Sequence, residues 1–165
     1  MSYEPRFMRL AVEQSRRALT EPGLEPFGAV VVRDGAVIGA GVNHSRRHFD
    51  PTSHGETEAI RDACRRLECT DLRDAELYSS CEPCALCVAA MHIVGIARVY
   101  YAGTLEGSNA ILAAVPENIR GRGDVAALRA DAGRPVAQGS IAATAHPDAE
   151  AEAILHEWAA AHIAG

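Results

Sequence analysis

No apolar run in this 165-residue chain approaches the roughly 20 residues that a membrane-crossing helix needs. The first residues also lack the charged-then-apolar plan and the small-residue cleavage site of a signal peptide. A soluble cytoplasmic protein is therefore expected, with no membrane partner. Basic residues are outnumbered: sixteen Lys and Arg face twenty-two Asp and Glu, for a formal net charge of −6. A protein that grips a phosphate backbone displays a clustered positive surface. Here Arg46-Arg47 and Arg61, Arg65 and Arg66 are interspersed with Asp50, Asp62, Glu68 and Asp71, which speaks against a nucleic-acid partner. Aromatic residues are only 5% of the chain, so Phe27 and Phe49 are the rings available near a site built from the central segment. The five cysteines are an odd number and suit a reducing compartment better than a disulfide framework. The run Cys81, Cys84, Cys87 lacks the fourth cysteine and following proline of the bacterial iron–sulfur pattern.

What is present is a set of metal-competent side chains. His54-Gly55-Glu56 is followed, after a strand-like segment, by Pro83-Cys84-Ala85-Leu86-Cys87. Catalytic zinc usually takes three protein ligands and leaves the fourth tetrahedral position to water. The spacing of Cys84 and Cys87 places two side chains on one face of a helical turn. Pro83 suits the beginning of that turn, where its missing N–H is no loss, and the helix dipole there favours thiolate anions. On the other side, Asp50-Pro51-Thr52-Ser53 is turn and cap chemistry. Residues 56–67 carry a helical stripe of Ala59, Ile60, Ala63 and Leu67, so His54 lies at a second helix start. Two helix starts that converge would supply one nitrogen and two sulfurs to the ion. Glu56 is too near His54 in sequence to be a comfortable fourth ligand and well placed to touch water at the metal, which is a general base's position.

Other chemistries for these residues are weaker. A Cys-x-x-Cys redox pair leaves the upstream His-x-Glu unexplained. A purely structural zinc wants a fourth Cys or His, which His48, Cys81 or His92 would have to provide. Cys64 and Cys69 read as small structural hydrophobes. His44, His92, His146, His156 and His162 have no ligand spacing among themselves.

The His-x-Glu and Pro-Cys-x-x-Cys pairing resembles the zinc-dependent cytidine-deaminase superfamily. Residues 51–102, including Tyr78-Ser79-Ser80-Cys81-Glu82-Pro83-Cys84, and the upstream Pro26-Phe27-Gly28-Ala29-Val30 are similar to its guanine and cytosine (nucleobase) deaminase branch. The resemblance implies a zinc-dependent hydrolytic deaminase with His54, Cys84 and Cys87 on the metal. Asn43, Phe27 and the Gly55 backbone N–H would be on the substrate. Zinc lowers the pKa of water from about 15.7 towards 7. Hydroxide would then attack the amine-bearing ring carbon while Glu56 shuttles protons and ammonia leaves. The implied substrate is a free nucleobase or related amino-heterocycle, guanine first and cytosine next. A tRNA adenosine or a nucleoside is the alternative, and a non-catalytic zinc-binding scaffold subunit is the alternative of another class. A homodimer is implied as well. Asn43 also reads as turn chemistry at a strand end, and Phe27 as core. Gly55 is like cytosine deaminases, whereas Cys81-Glu82-Pro83 is like guanine deaminases. The Phe-Asp-Asp element of the latter is missing from residues 105–114, and Glu150, Glu152 and Glu157 are the acids expected to replace it if the final helix folds over this chain's pocket or a neighbour's.

Alternating element types give an α/β arrangement. The resemblance implies a three-layer α/β/α cytidine-deaminase-like fold, a central mixed sheet of about five strands flanked by helices. One domain over residues 1–165 is expected, with 147–165 a C-terminal helix available to pack on a partner subunit. Helices are predicted at Phe7–Ala18, Glu56–Leu67, Cys84–Val94, Asn109–Ala114 and Pro147–Ile163. Strands are predicted at Phe27–Val32 and Ala36–Val42, paired antiparallel through Asp34-Gly35. Further strands are predicted at Ala75–Ser79 and Arg98–Ala102, mutually parallel, and at Pro135–Gln138.

Overall fold

β1 (Glu25–Arg33) and β2 (Ala36–Asn43) form a hairpin whose turn residues Asp34 and Gly35 both take positive φ, 52° and 74°. A two-residue turn matched to strand twist needs that conformation. The computed structural model describes residues 2–120 and 124–163. β3 (Glu76–Cys81) pairs antiparallel with β1, and β4 (Arg98–Gly103) pairs parallel with β3, giving the order β2-β1-β3-β4. The helices are α1 (Pro5–Arg16), α2 (Ser45–His48), α3 (Gly55–Leu67), α4 (Ala85–Val94), α5 (Leu105–Leu112), α6 (Glu117–Arg120), α7 (Val125–Asp131) and α8 (Ala149–Ile163). Residues 1–132 and 133–165 form two separate compact units. The second carries α8, on which Trp158 stacks over His162. Among the described residues no helix is long and apolar enough to cross a membrane.

Strand alternation builds the layers. Val30, Val32 and Tyr78 pack with Phe7, Met8 and Ala11 of α1 on one face of the sheet. Ala29, Val31 and Leu77 pack with Ala59, Ile60 and Ala63 of α3 and with Cys87 and Met91 of α4 on the other. Both faces of β1 are covered, hence its nearly unbroken apolar run. The three-layer α/β/α arrangement is thus the observed one.

The sheet has four strands among the described residues, where about five were expected. Val136–Gln138 is a 3-10 turn, closed by Gln138 N–H donating to the Pro135 carbonyl at 2.8 Å. Pro135 has no N–H to offer a ladder, and this short apolar run finds no strand to pair with. The helix expected at Asn109–Ala114 begins earlier, at Leu105, because Thr104 Oγ1 accepts from the Gly107 N–H and caps it. The first helix starts at Pro5, a favoured position for proline, and tightens into a 3-10 turn at Arg17–Leu19.

Two glycines seat α3. A Cβ at Gly39 would lie 2.3 Å from the Ala59 carbonyl oxygen, and one at Gly41 would lie 2.4 Å from the Gly55 carbonyl oxygen and the Ala59 nitrogen. Bare backbone lets the first turns of α3 lie directly on β2. Gly41→Ala is expected to cost about 1–3 kcal/mol, the usual penalty of overpacking, because the obstruction is backbone. Urea denaturation checks this, and an unchanged midpoint at equal slope would refute the close-approach argument.

Candidate active site

The two segments rich in ligands both become helix starts. His54 caps α3 and Cys84 caps α4, each with an extended backbone (φ −75°, ψ 158° and φ −76°, ψ 172°) and each accepting the first helical hydrogen bond, from Glu58 and Val88. The turn before α3 is pinned by Asp50, whose Oδ1 accepts from the Thr52 N–H and hydroxyl. Thr57 Oγ1 then donates to the Thr52 and His54 carbonyls.

His54 Nδ1 lies 3.4 Å from Cys84 Sγ and 3.5 Å from Cys87 Sγ, and the sulfurs are 3.7 Å apart. Tetrahedral zinc with ordinary Zn–N and Zn–S bonds requires edges of about 3.6 Å and 3.8 Å. The three donors fit that ion. Among the described residues these three side chains alone converge as a metal-ligand group, and a zinc ion they held would have a fourth position left for water. Cys81 does not join them; its Sγ contacts Ser108 Oγ at 3.0 Å. The Cys87 S–H and the His54 ring hold Cys84 down to about 4, while the hydrogen bond to Cys84 and burial hold Cys87 up. Cys84 in turn raises His54.

Glu56, the second residue of α3, is only 6% exposed, and burial pushes its carboxyl above the usual range. Ser79 Oγ donates to Oε1 at 3.1 Å, and Cys87 Sγ lies 3.4 Å from Oε2. The acid is thus held beside Cys87 without belonging to the group of converging ligand atoms. Gly55 is buried, and a Cβ there would sit 2.4 Å from the Phe27 carbonyl oxygen, so the backbone of β1 presses directly on the start of α3. Phe27 is half-buried. Asn43 is 3% exposed, and its Oδ1 accepts from the Ser45 N–H at 2.9 Å. The turn reading of Asn43 is therefore met, and its amide N–H groups remain without a partner among the described residues. Phe49 points into solvent at 93% exposure. Glu150, Glu152 and Glu157 are exposed on α8.

Sequence reasoning passed over Ser79 and Glu82. Alternation along β3 sends Leu77 and Ser79 to the α3 face, and a hydroxyl among inward apolar positions was the available signal. Glu82 accepts from the Leu105 N–H at 2.9 Å and from Arg129 Nη2 at 2.7 Å. Arg129 also donates to the Pro83 carbonyl, so the corner before Cys84 is tied to α5 and α7. Glu82, Thr104, Leu105, Asn109 and Arg129 line an open cleft of about 670 Å³ that does not include the zinc ligands.

The family model for the cytidine and deoxycytidylate deaminase zinc-binding region matches residues 1–103. Guanine deaminase of Bacillus subtilis is 48% identical over 77 residues, 47% of this chain and 49% of that protein. The tRNA-specific adenosine deaminase of Aquifex aeolicus is 38% identical over 95 residues, 58% of this chain and 62% of that protein. The matched stretch thus spans about half to three fifths of these curated relatives. An X-ray structure of guanine deaminase from Bacillus subtilis superposes with a TM-score of 0.77 at 30% identity, over 95% of this chain and 94% of that one.

Proposed function

The chain belongs to the family of the cytidine and deoxycytidylate deaminase zinc-binding region, and from that premise we propose that it is a zinc-dependent hydrolytic deaminase of a free nucleobase or related amino-heterocycle, guanine-type first and cytosine next. The observation that carries this reading is the buried Glu56 carboxyl set beside three converging zinc-competent ligands. A zinc ion held by His54, Cys84 and Cys87 supplies Lewis acidity, bringing the pKa of water from about 15.7 to about 7. Glu56 takes one proton from water and passes it to the ring nitrogen beside the amine-bearing carbon, then takes the second from the hydroxyl that attack leaves on that carbon and passes it to the departing amine. Water and the C–NH₂ group become a ring carbonyl and ammonia. Ser79 fixes Oε1, and once Cys87 is a thiolate its S–H no longer engages Oε2, which leaves that oxygen to carry the proton. Burial keeps the carboxyl basic enough for both transfers. The free amide N–H groups of Asn43, the Phe27 ring and the Gly55 N–H orient the heterocycle.

The likeness to a guanine deaminase structure over nearly the whole chain and the interspersed arginines favour a small uncharged base. The similarity to a tRNA-specific adenosine deaminase favours the second reading, tRNA adenosine. A homodimer in the cytoplasm completes the proposal, and equilibrium sedimentation tests the assembly. The deciding experiment is ammonia release by zinc-loaded protein from guanine, cytosine, adenine, their nucleosides, amino-triazines and a tRNA. Turnover of a free base above its nucleoside is expected. Turnover of tRNA adenosine with silence on every free base would replace the nucleobase reading, and silence on all would favour the scaffold role.

A further inference from the structure

Asn43 has a cross-strand neighbour. Glu25, the first residue of β1, stands directly opposite Asn43, the last residue of β2, in the antiparallel ladder. Directly opposed residues of antiparallel strands project from the same face. That face belongs to α3: Gly41, two positions before Asn43, is where an added Cβ would strike Gly55 and Ala59, and a step of two along a strand preserves the face. Glu25 and Asn43 therefore flank the helix start that bears His54 and Glu56. Glu25 is half-buried, yet its carboxylate has no hydrogen-bond or ion-pair partner among the described residues. Only the longer-range charges of His54 and the exposed Arg46 act on it. A partly desolvated carboxylate lacking a donor is costly to hold, and a ligand bearing an N–H relieves the cost.

We propose that Glu25 is a specificity-determining residue that accepts a hydrogen bond from a ring N–H of the bound heterocycle, the donor that a glycosidic bond or an N-alkyl group removes. The pair then divides the work: Asn43 donates to a ring acceptor, and Glu25 accepts from the ring N–H. A ring substituted at that nitrogen leaves the carboxylate desolvated and unpaired, and sites built to hydrogen-bond a group reject analogues lacking it for this reason. The inference rests on the free-base reading and supplies a physical basis for preferring bases over nucleosides.

The test measures binding with turnover removed. Zinc-loaded Glu56→Gln protein, with and without Glu25→Gln, is titrated calorimetrically with guanine and 9-methylguanine and with cytosine and 1-methylcytosine. With Glu25 present, the unsubstituted ring of at least one pair is expected to bind about 10- to 100-fold tighter, the scale of a charge-assisted hydrogen bond. Glu25→Gln should shrink that ratio to about 2-fold at unchanged zinc content. A ratio that survives Glu25→Gln, or no preference to begin with, overturns the proposal. So does loss of zinc in Glu25→Gln, which would assign the carboxylate to His54. Failure of the deaminase reading looks different: wild-type protein would discriminate within a pair and yet release no ammonia.

Discussion

Zinc-loaded Glu56→Gln protein is expected to release ammonia about 10³- to 10⁴-fold more slowly than wild type, the upper part of the range for general acid–base catalysis. One carboxyl serves both proton transfers, so no second group takes over. The substitution is nearly isosteric, and its amide oxygen still accepts from Ser79, now at 3.1 Å from Oε1. Glu56 is not among the converging ligand atoms, so zinc content should not change. Stability should not fall either. In metal-free protein the folded-state pKa of Glu56 is raised above its unfolded value by burial, so ionisation there costs folding free energy as pH rises past the ordinary glutamate range, and a neutral side chain removes that cost. The measurement pairs single-turnover ammonia release with zinc analysis and urea denaturation at pH 7. Undiminished turnover would remove Glu56 from the proton path, and loss of zinc would make it a metal-holding residue instead.

The zinc ligands were legible because metal geometry imposes its demands on short stretches of chain. Cys84 and Cys87 share one helical turn, His54 ends a turn rich in cap residues, and no distant pairing is needed to see either. The β1–β2 hairpin was legible for the same reason: Asp34-Gly35 between alternating apolar runs is local chemistry. Ser79 and Glu25 were not, because Ser79 is placed by strand pairing across a long stretch of sequence and Glu25 by two register irregularities within the hairpin. Ser79 reaches Glu56 only because β3 lies beside β1 with Ala29 opposite Ser79. Glu25 faces the α3 start only because the hairpin register places it against Asn43. Register follows the fit of whole faces, which local periodicity does not reveal. Pro135–Gln138 failed in the opposite direction: a short apolar run reads as a strand until the absence of a pairing partner decides otherwise. Sequence reasoning also set the start of α5 too late, since Thr104 both closes β4 and caps the helix.

Cys87→Ala is expected to abolish both zinc binding and turnover while leaving a folded chain. Cys87 is fully buried and lies within hydrogen-bonding range of three site residues: Cys84 Sγ at 3.7 Å, His54 Nδ1 at 3.5 Å and Glu56 Oε2 at 3.4 Å. Removing its sulfur leaves two ligands for an ion that needs three from the protein. The ion joins the start of α3 to the start of α4, so binding to the native state alone stabilises the fold by mass action. At free zinc a hundredfold above Kd this amounts to about 2.7 kcal/mol. For a chain of this size such a change corresponds to a zinc-dependent rise in Tm of about 5–10 °C. Calorimetry with chelator and with zinc should show that rise in wild type and in Glu56→Gln, and no rise in Cys87→Ala. The contrast separates the two halves of the site: one substitution removes chemistry and keeps the metal-linked stability, the other removes both. A zinc-dependent Tm rise of wild-type size in Cys87→Ala would place the ion on other residues and overturn the ligand assignment.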